Sequence, residues 1–163
     1  MTEVYLLLGS NLNTPFIQLN IALGHLTEMV GKIVQVSPVY HSAPWGVVDQ
    51  PDFANQVVLL NTALKPLDLL RCLQVIEKNM GRERIVKWGS RIIDIDVLYY
   101  GNEIITNTTL KVPHPELHNR RFTLVPLCDI APDFIHPVWN VTNHTLLKRC
   151  SDEGKVELSI NKI

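Results

Sequence analysis

Hydrophobic residues along the first part of the chain form one strand-like run followed by one helix-like stripe. The run Val4–Leu8 predicts a buried strand that ends at Gly9-Ser10-Asn11. Thr14-Pro15 provides a predicted N-cap followed by proline at the first helical position. Apolar residues then recur at steps of three and four over 16–26, which predicts a helix that ends at Gly31. We expect this helix to pack on a sheet through its apolar face.

The same kind of pattern continues to the end of the chain. It predicts strands over 33–40 and 53–62, a helix from Pro66 to Gly81, strands over 91–100 and 103–106, and short helices over 121–130 and 143–150. The order strand, helix, strand, strand, helix, strand is that of a split β-α-β plan. We therefore predict an α+β, ferredoxin-like fold, with an antiparallel or mixed sheet covered by helices in three layers (α/β/α). Residues 1–163 are expected to form a single domain, because no repeat or linker divides them.

Composition and charge narrow the class of protein. Fifteen Lys plus Arg against sixteen Asp plus Glu give a net charge of −1, which argues against a surface built for nucleic acid or anionic lipid. No apolar run approaches the ~20 residues of a membrane span, and the start of the chain lacks a basic secretory lead-in. Three cysteines without C-x-x-C spacing make disulfides improbable. We expect a cytoplasmic protein that binds neither nucleic acid nor membrane.

Two carboxylates in the strand predicted over 91–100 form the first candidate site. Side chains alternate between the faces of a strand, so Asp94 and Asp96 project together. Their Cα atoms would lie ~7 Å apart, close enough for both groups to bind one or two magnesium ions. Alternatively, one aspartate pairs with Arg91 and the other is solvated, which is the commoner arrangement for an isolated pair of this spacing.

The segment just before these aspartates is basic. Residues 81–91 contain two glycines, one tryptophan and the four cations Arg82, Arg84, Lys87 and Arg91. In a chain of net charge −1, this cluster beside paired carboxylates suits a small polyanion held between metal and arginine, as in phosphoryl transfer. The alternative is a solvated basic loop.

Two further groups of residues are candidates for binding or catalysis. His114 lies between two prolines that favour an extended backbone, and Arg120 follows it closely. Aromatic rings at Trp45, Phe53 and Phe122, with the amide of Asn55, offer a slot for a flat heterocycle. Neither G-x-x-x-x-G-K-[ST] nor G-x-G-x-x-G is present, which excludes a P-loop enzyme and a dinucleotide fingerprint.

The sequence over 87–98, KWGSRIIDIDVL, resembles the signature of the 6-hydroxymethyl-7,8-dihydropterin pyrophosphokinases, a folate-pathway family. Further matches in the same order lie within 9–12, 43–46, 50–55 and 112–127. The resemblance implies that the hydroxymethyl oxygen of a pterin attacks the β-phosphorus of ATP and expels AMP. It also implies two magnesium ions that bridge the phosphates, and a monomer.

Site residues follow from the resemblance, position by position. It implies catalytic roles for Arg82, Arg91, Asp94 and Asp96, the two aspartates being the magnesium ligands. It implies ATP contacts for Gln74, Glu77, Arg84, Lys87, Trp88, His114 and Arg120. It implies pterin contacts for Ser42, Ala43, Pro44, Trp45, Phe53, Asn55 and Phe122. Lys87 stands where some members carry Arg, and an ammonium binds phosphate as a point charge rather than as a bidentate fork. Phe53 stands where some members carry Tyr, which removes a hydroxyl but keeps the ring.

Several alternatives stay open at this stage. A nucleotidyltransferase also combines Gly-Ser with D-x-D, although only three residues separate Ser90 from Asp94 here. A ferredoxin-like effector-binding module without chemistry is the second alternative. The proton acceptor is open between Asp96, a metal-bound water and solvent. Closure of the loops over 42–52 and 82–90 on substrate is a hypothesis, and the tail over 143–163 has no predicted role.

Overall fold

The computed structural model describes residues 1–44, 49–81 and 91–159. The strands are β1 (Thr2–Ser10), β2 (Gly31–Val36), β3 (Tyr40–Ser42), β4 (Phe53–Thr62), β5 (Asp94–Tyr100), β6 (Ile105–Thr106), β7 (Lys111–Val112) and β8 (Val156–Leu158). The helices are α1 (Pro15–Met29), α2 (Pro66–Asn79), α3 (Arg121–Ile130) and α4 (Asn143–Arg149), and a 3-10 turn spans Leu117–Asn119. None of the helices in these ranges has the length and apolar character of a membrane span.

One antiparallel sheet organises the chain. Its order is β5-β1-β4-β3-β8, and β2 also pairs with β4. The strands β6 and β7 form a small separate pair. The long central strands β1 and β4 are apolar on both faces and almost entirely buried, as expected for strands covered by helices on each side.

Alternation along β1 distributes side chains between two hydrophobic clusters. Val4, Leu6 and Leu8 face the cluster that contains the buried apolar residues of α1 and α2. Tyr5 and Leu7 face the cluster that contains Leu124 and Leu127 of α3 and Leu146 of α4. The predicted three-layer α/β/α arrangement with an antiparallel sheet is therefore confirmed.

Some local predictions were wrong. The stretch over 33–40 is divided between β2 and β3, and β5 begins at Asp94 rather than at Arg91. Thr14 does not cap α1 through its side chain, because it lies in the left-handed region with φ 60°. The short strand β8 was not predicted. Gly81 ends α2 as expected. Its φ is 85°, a backbone conformation that residues other than glycine rarely adopt.

Candidate active site

The candidate site lies on the α3 face of the sheet, where β1 ends and β4 and β5 begin. Strand register places Asp94 beside Gly9, Gly9 beside Asn55, and Asn55 beside Tyr40. This row crosses four neighbouring strands. Because adjacent strands lie ~4.8 Å apart, Asp94 and Asn55 are roughly 10 Å apart, with the glycine between them.

The two aspartates project from the same face of β5, as predicted. Asp94 and Asp96 are 23% and 31% exposed at the side chain, whereas Ile95 between them is buried in the opposite cluster. The Nη1 of Arg91 lies 3.3 Å from Oδ2 of Asp94, so the ion pair considered as the alternative for one aspartate is present. The buried Nε of Arg91 has no hydrogen-bond partner within the described residues, which leaves one donor for an anion.

His114 approaches Asp96 from the segment that follows β7. Its Nε2 lies 4.0 Å from Oδ2 of Asp96, and its Nδ1 accepts a hydrogen bond from the Glu116 N–H at 3.1 Å. Burial and the neighbouring charge of Arg120 lower the pKa of His114 to about 4. The imidazole is therefore neutral near pH 7, and because Nδ1 is an acceptor, the proton is on Nε2 and points toward the carboxylates.

An amide and an aromatic ring occupy the other side of Gly9. The Nδ2 of Asn55 donates to Oγ of Ser42 at 2.7 Å, and both side chains are buried. A Cβ placed on Gly9 would lie 3.4 Å from Oδ1 of Asn55 and 3.8 Å from Cδ1 of Phe53. Gly9 thus leaves open the space between this amide and the carboxylates. Ala43 is exposed and Pro44 half-buried where β3 ends.

The start of α3 supplies a second aromatic ring. Phe122 packs against the cluster on the α3 face, and Arg120 lies over it with Cζ 5.7 Å from the ring centroid. The helix packs on β3 and β4, the strands that carry Ser42 and Asn55. The structure thus brings the predicted ring and guanidinium to the α3 side of the same sheet face.

Two predicted ATP-binding residues lie on α2, which packs on the face of the sheet opposite to Asp94 and Asp96. Gln74 is exposed on α2. Glu77 is 6% exposed, and its Oε2 accepts the backbone N–H of Ile95 at 2.9 Å. Glu77 therefore holds the backbone between the two aspartates, and its contact with nucleotide stays a prediction. The predicted residues Trp45, Arg82, Arg84, Lys87 and Trp88 lie outside the described residues.

Sequence reasoning missed Gly9 and Asn11 as functional positions. Asn11 is buried, its Oδ1 accepts the Arg91 N–H at 2.8 Å, and its Nδ2 donates to Gln50 and Pro51 at 2.9 Å each. It therefore joins the end of β1 to the segments leading into β4 and into β5. Two signals were present in the sequence: the turn Gly9-Ser10-Asn11, which predicts the end of a strand, and the family resemblance over 9–12, which assigned these residues no role.

Comparison with known proteins gives consistent results. Residues 5–132 match the sequence model of the family described as 7,8-dihydro-6-hydroxymethylpterin-pyrophosphokinase (HPPK). A Haemophilus influenzae protein, 2-amino-4-hydroxy-6-hydroxymethyldihydropteridine pyrophosphokinase, is 44% identical over 160 residues, covering 98% of this chain and 99% of the relative. A Pseudomonas aeruginosa protein of the same name is 46% identical over 136 residues, covering 83% and 84%.

The fold is also found in a solved structure of low sequence identity. The crystal structure of Plasmodium falciparum HPPK-DHPS wild type with SDX-DHP has a TM-score of 0.74 at 18% identity. The match covers 91% of this chain but spans only 43% of that one. The family match over 5–132 and the two bacterial relatives lead to one conclusion: the chain belongs to the 7,8-dihydro-6-hydroxymethylpterin-pyrophosphokinase family.

Proposed function

We propose that this chain transfers diphosphate from ATP to the hydroxymethyl group of 6-hydroxymethyl-7,8-dihydropterin. The products are AMP and the pterin diphosphate, a step of folate biosynthesis. The observation that carries the proposal is the row across the sheet, in which Gly9 separates the carboxylate of Asp94 from the amide of Asn55. A charged group and a flat acceptor can bind side by side in this arrangement.

The donor set of Asp94 and Asp96 fits magnesium. Magnesium binds hard oxygen ligands and commonly takes only one or two carboxylates, completing its coordination with water and substrate phosphates. Asp94 and Asp96 provide two carboxylates on one face of β5, which is the number that such a shared site uses. Two ions are proposed, and when bound they would neutralise the charge of the triphosphate.

Arg91 and His114 face the proposed phosphate side as donors. The buried Nε–H of Arg91 is available within the described residues, and the Nε2–H of the neutral His114 points toward Asp96. Both groups can donate hydrogen bonds to phosphate oxygens without giving up a proton. We propose that they orient ATP, together with Arg120 and with Gln74, Glu77, Arg82, Arg84, Lys87 and Trp88.

The pterin is proposed to lie on the other side of Gly9. The ring of Phe53 and the Oδ1 of Asn55 face the space that a Cβ on Gly9 would enter. Because Nδ2 of Asn55 is used by Ser42, Oδ1 is the amide atom turned toward Gly9, and it can accept an N–H of the pterin. Phe122, Ala43, Pro44 and Trp45 are proposed to complete this site. The hydroxymethyl group would then point across Gly9 toward the aspartates.

The deciding experiment incubates the protein with magnesium, ATP and 6-hydroxymethyl-7,8-dihydropterin and identifies the nucleotide product by chromatography. We expect AMP and pterin diphosphate in equal amounts, and no turnover when EDTA is added. ADP would indicate simple phosphoryl transfer, and free diphosphate with an adenylylated pterin would indicate nucleotidyl transfer. Binding without any turnover would support an effector-binding module. A cytoplasmic location and a monomeric state stay predictions.

A further inference from the structure

The helix α3, which carries Phe122, begins without a cap from its own sequence. The residue at its N-cap position is Arg120, which makes no capping hydrogen bond, and no acidic residue lies in the first turn. An arginine side chain has donors but no acceptor, so it cannot satisfy the N–H groups that a helix leaves unpaired at its start. An acceptor for the first of these N–H groups comes from elsewhere in the chain.

Asp152 provides this acceptor from beyond α4. Its Oδ2 accepts the Arg121 N–H at 3.0 Å across 31 residues of sequence, and its Oδ1 accepts the Gly154 N–H at 2.8 Å. Both oxygens of the carboxylate are therefore used, one to hold α3 and one to hold its own loop. A carboxylate at this position also complements the positive end of the helix dipole.

Residues 151–159, which we name the C-terminal segment, include Asp152 and continue to the β3 side of the proposed pterin site. Its strand β8 pairs with β3, with Val156 beside Ser42, and the Ser159 N–H donates to the Val39 carbonyl at 2.9 Å. The segment thus contacts both the helix that carries Phe122 and the strand whose Ser42 holds Asn55. It lies outside the family match, which ends at residue 132.

We propose that Asp152 is a positioning residue for the pterin, acting through the first turn of α3; this inference rests on the proposed function. Phe122 directly follows the residue whose N–H Asp152 accepts, so the hydrogen bond fixes the position of its ring over the sheet. Asp94 and Asp96 lie on β5, at the opposite edge of the sheet from β8. Loss of Asp152 therefore leaves the proposed magnesium ligands in place, and it affects the ATP side only through Arg120, which precedes the held residue.

The test measures KM for pterin and for ATP in Asp152→Ala, Asp152→Asn and Glu153→Ala, by AMP release. Wild-type protein is assayed first, because absence of AMP there would refute the proposed function rather than this inference. We expect Asp152→Ala to raise the pterin KM about fivefold, because the first turn of α3 no longer holds Phe122 in its binding position, and to raise the ATP KM less than about twofold. Asp152→Asn keeps one carbonyl oxygen for the Arg121 N–H but loses the acceptor for the Gly154 N–H, so we expect a pterin KM between those of wild type and Asp152→Ala. The exposed Glu153 is the matched control.

A double-variant cycle separates positioning from general stabilisation. If Asp152 acts through the ring, Asp152→Ala changes pterin affinity little when Phe122→Ala is already present. Gly154→Ala is a second, milder perturbation of the same carboxylate. The added Cβ would lie 2.9 Å from Oδ1 of Asp152, so this side chain must shift. A rise in the pterin KM without a rise in the ATP KM would support the inference. An unchanged pterin KM in folded Asp152→Ala, or effects that simply add in the cycle, would overturn it.

Discussion

Asn11 and Arg91 exchange two hydrogen bonds at the edge of the candidate site. The Arg91 N–H donates to Oδ1 of Asn11 at 2.8 Å, and the Asn11 N–H donates to the Arg91 carbonyl at 3.0 Å. Through Nδ2, the same asparagine also holds Gln50 and Pro51 on the approach to β4. One buried amide therefore sets the position of the chain on both sides of the site.

The two halves of the Asn11 amide can be separated by mutation. Asn11→Asp keeps an oxygen for the Arg91 N–H but loses both donors to Gln50 and Pro51, so we expect a raised pterin KM with a smaller change for ATP. Asn11→Ala removes all three side-chain hydrogen bonds and should lower the free energy of unfolding by about 2 kcal/mol. Urea denaturation and separate KM measurements check both, with Asn20→Ala on the exposed face of α1 as control. Equal effects of Asn11→Asp and Asn11→Ala on the ATP KM would contradict this division, because only Asp keeps the acceptor for the Arg91 N–H.

Periodicity was sufficient to predict the main elements and the layers. Apolar stripes locate α1 and α2, and the run from Phe53 to Thr62 coincides with β4, because burial against a sheet requires these patterns. The strand β8 could not be predicted in this way. It has three residues, two of them exposed, and exists because β3 offers it an edge far away in sequence.

Some residues of the site were predictable because the alternation of side chains along one strand, or a sequence motif, determines where they lie. Alternation places Asp94 and Asp96 on one face, but no local rule shows that Gly9 lies between Asp94 and Asn55, because this requires the strand order and register. Similarly, the stripe of α2 predicts a buried Ile76 but not a buried carboxylate at Glu77. Contacts between distant segments decide such positions.

Gly9 is predicted to leave the space in which the pterin binds next to ATP, because it has no side chain. Gly9→Ala would place a methyl group 3.4 Å from Oδ1 of Asn55, so we expect the pterin KM to rise roughly tenfold while the protein stays folded. Gly24→Ala is the matched control, since a Cβ at this position on α1 would meet no described atom within 4 Å apart from its chain neighbours and the backbone of its own helix. That control should gain about 1 kcal/mol in stability without a change in KM. An unaltered pterin KM in Gly9→Ala would argue against pterin binding across this glycine.

Glu77 is predicted to stabilise β5. Glu77→Ala removes the acceptor of the buried Ile95 N–H, and we expect the free energy of unfolding to fall by about 2 kcal/mol. Glu77→Gln retains a carbonyl oxygen and is expected to recover most of this loss. Urea denaturation of both variants, with the ATP KM measured alongside, separates the two roles. A raised ATP KM with unchanged stability would mean that Glu77 binds nucleotide and does not support the strand.

Asp96 is predicted to be required for turnover. Asp96→Ala removes one of the two proposed magnesium ligands, and we expect kcat to fall at least about 100-fold, or ~3 kcal/mol of transition-state stabilisation. The exposed Asp133→Ala provides a control for removal of a carboxylate. Circular dichroism establishes that the variant is folded. Near-normal turnover in a folded Asp96→Ala protein would refute the magnesium assignment.

Stability is predicted to fall on mild acidification because of two histidines, the buried His136 and the half-buried His114, whose pKa values are lowered. His136 is 3% exposed, and its Nδ1 accepts the Val138 and Trp139 N–H groups at 3.2 Å each. Burial lowers the pKa of His136 to about 4, and that of His114 to about 4, from an ordinary value of 6.5. Between these pH values the unfolded chain binds more protons than the folded chain, so stability is complete above pH 6.5 and is lost as the pH falls toward 4.

Urea denaturation at several pH values between 7.5 and 4.5 measures this slope, and His136→Asn isolates the contribution of one histidine. Asparagine can place an acceptor near the position of Nδ1 but does not titrate, so we expect roughly half of the slope to disappear. Proton NMR of the wild-type imidazole provides an independent check, because His136 should not titrate until the pH is well below 6.5. A His136 titration midpoint near 6.5, or a slope unchanged in His136→Asn, would show that this ring is not held neutral by its burial.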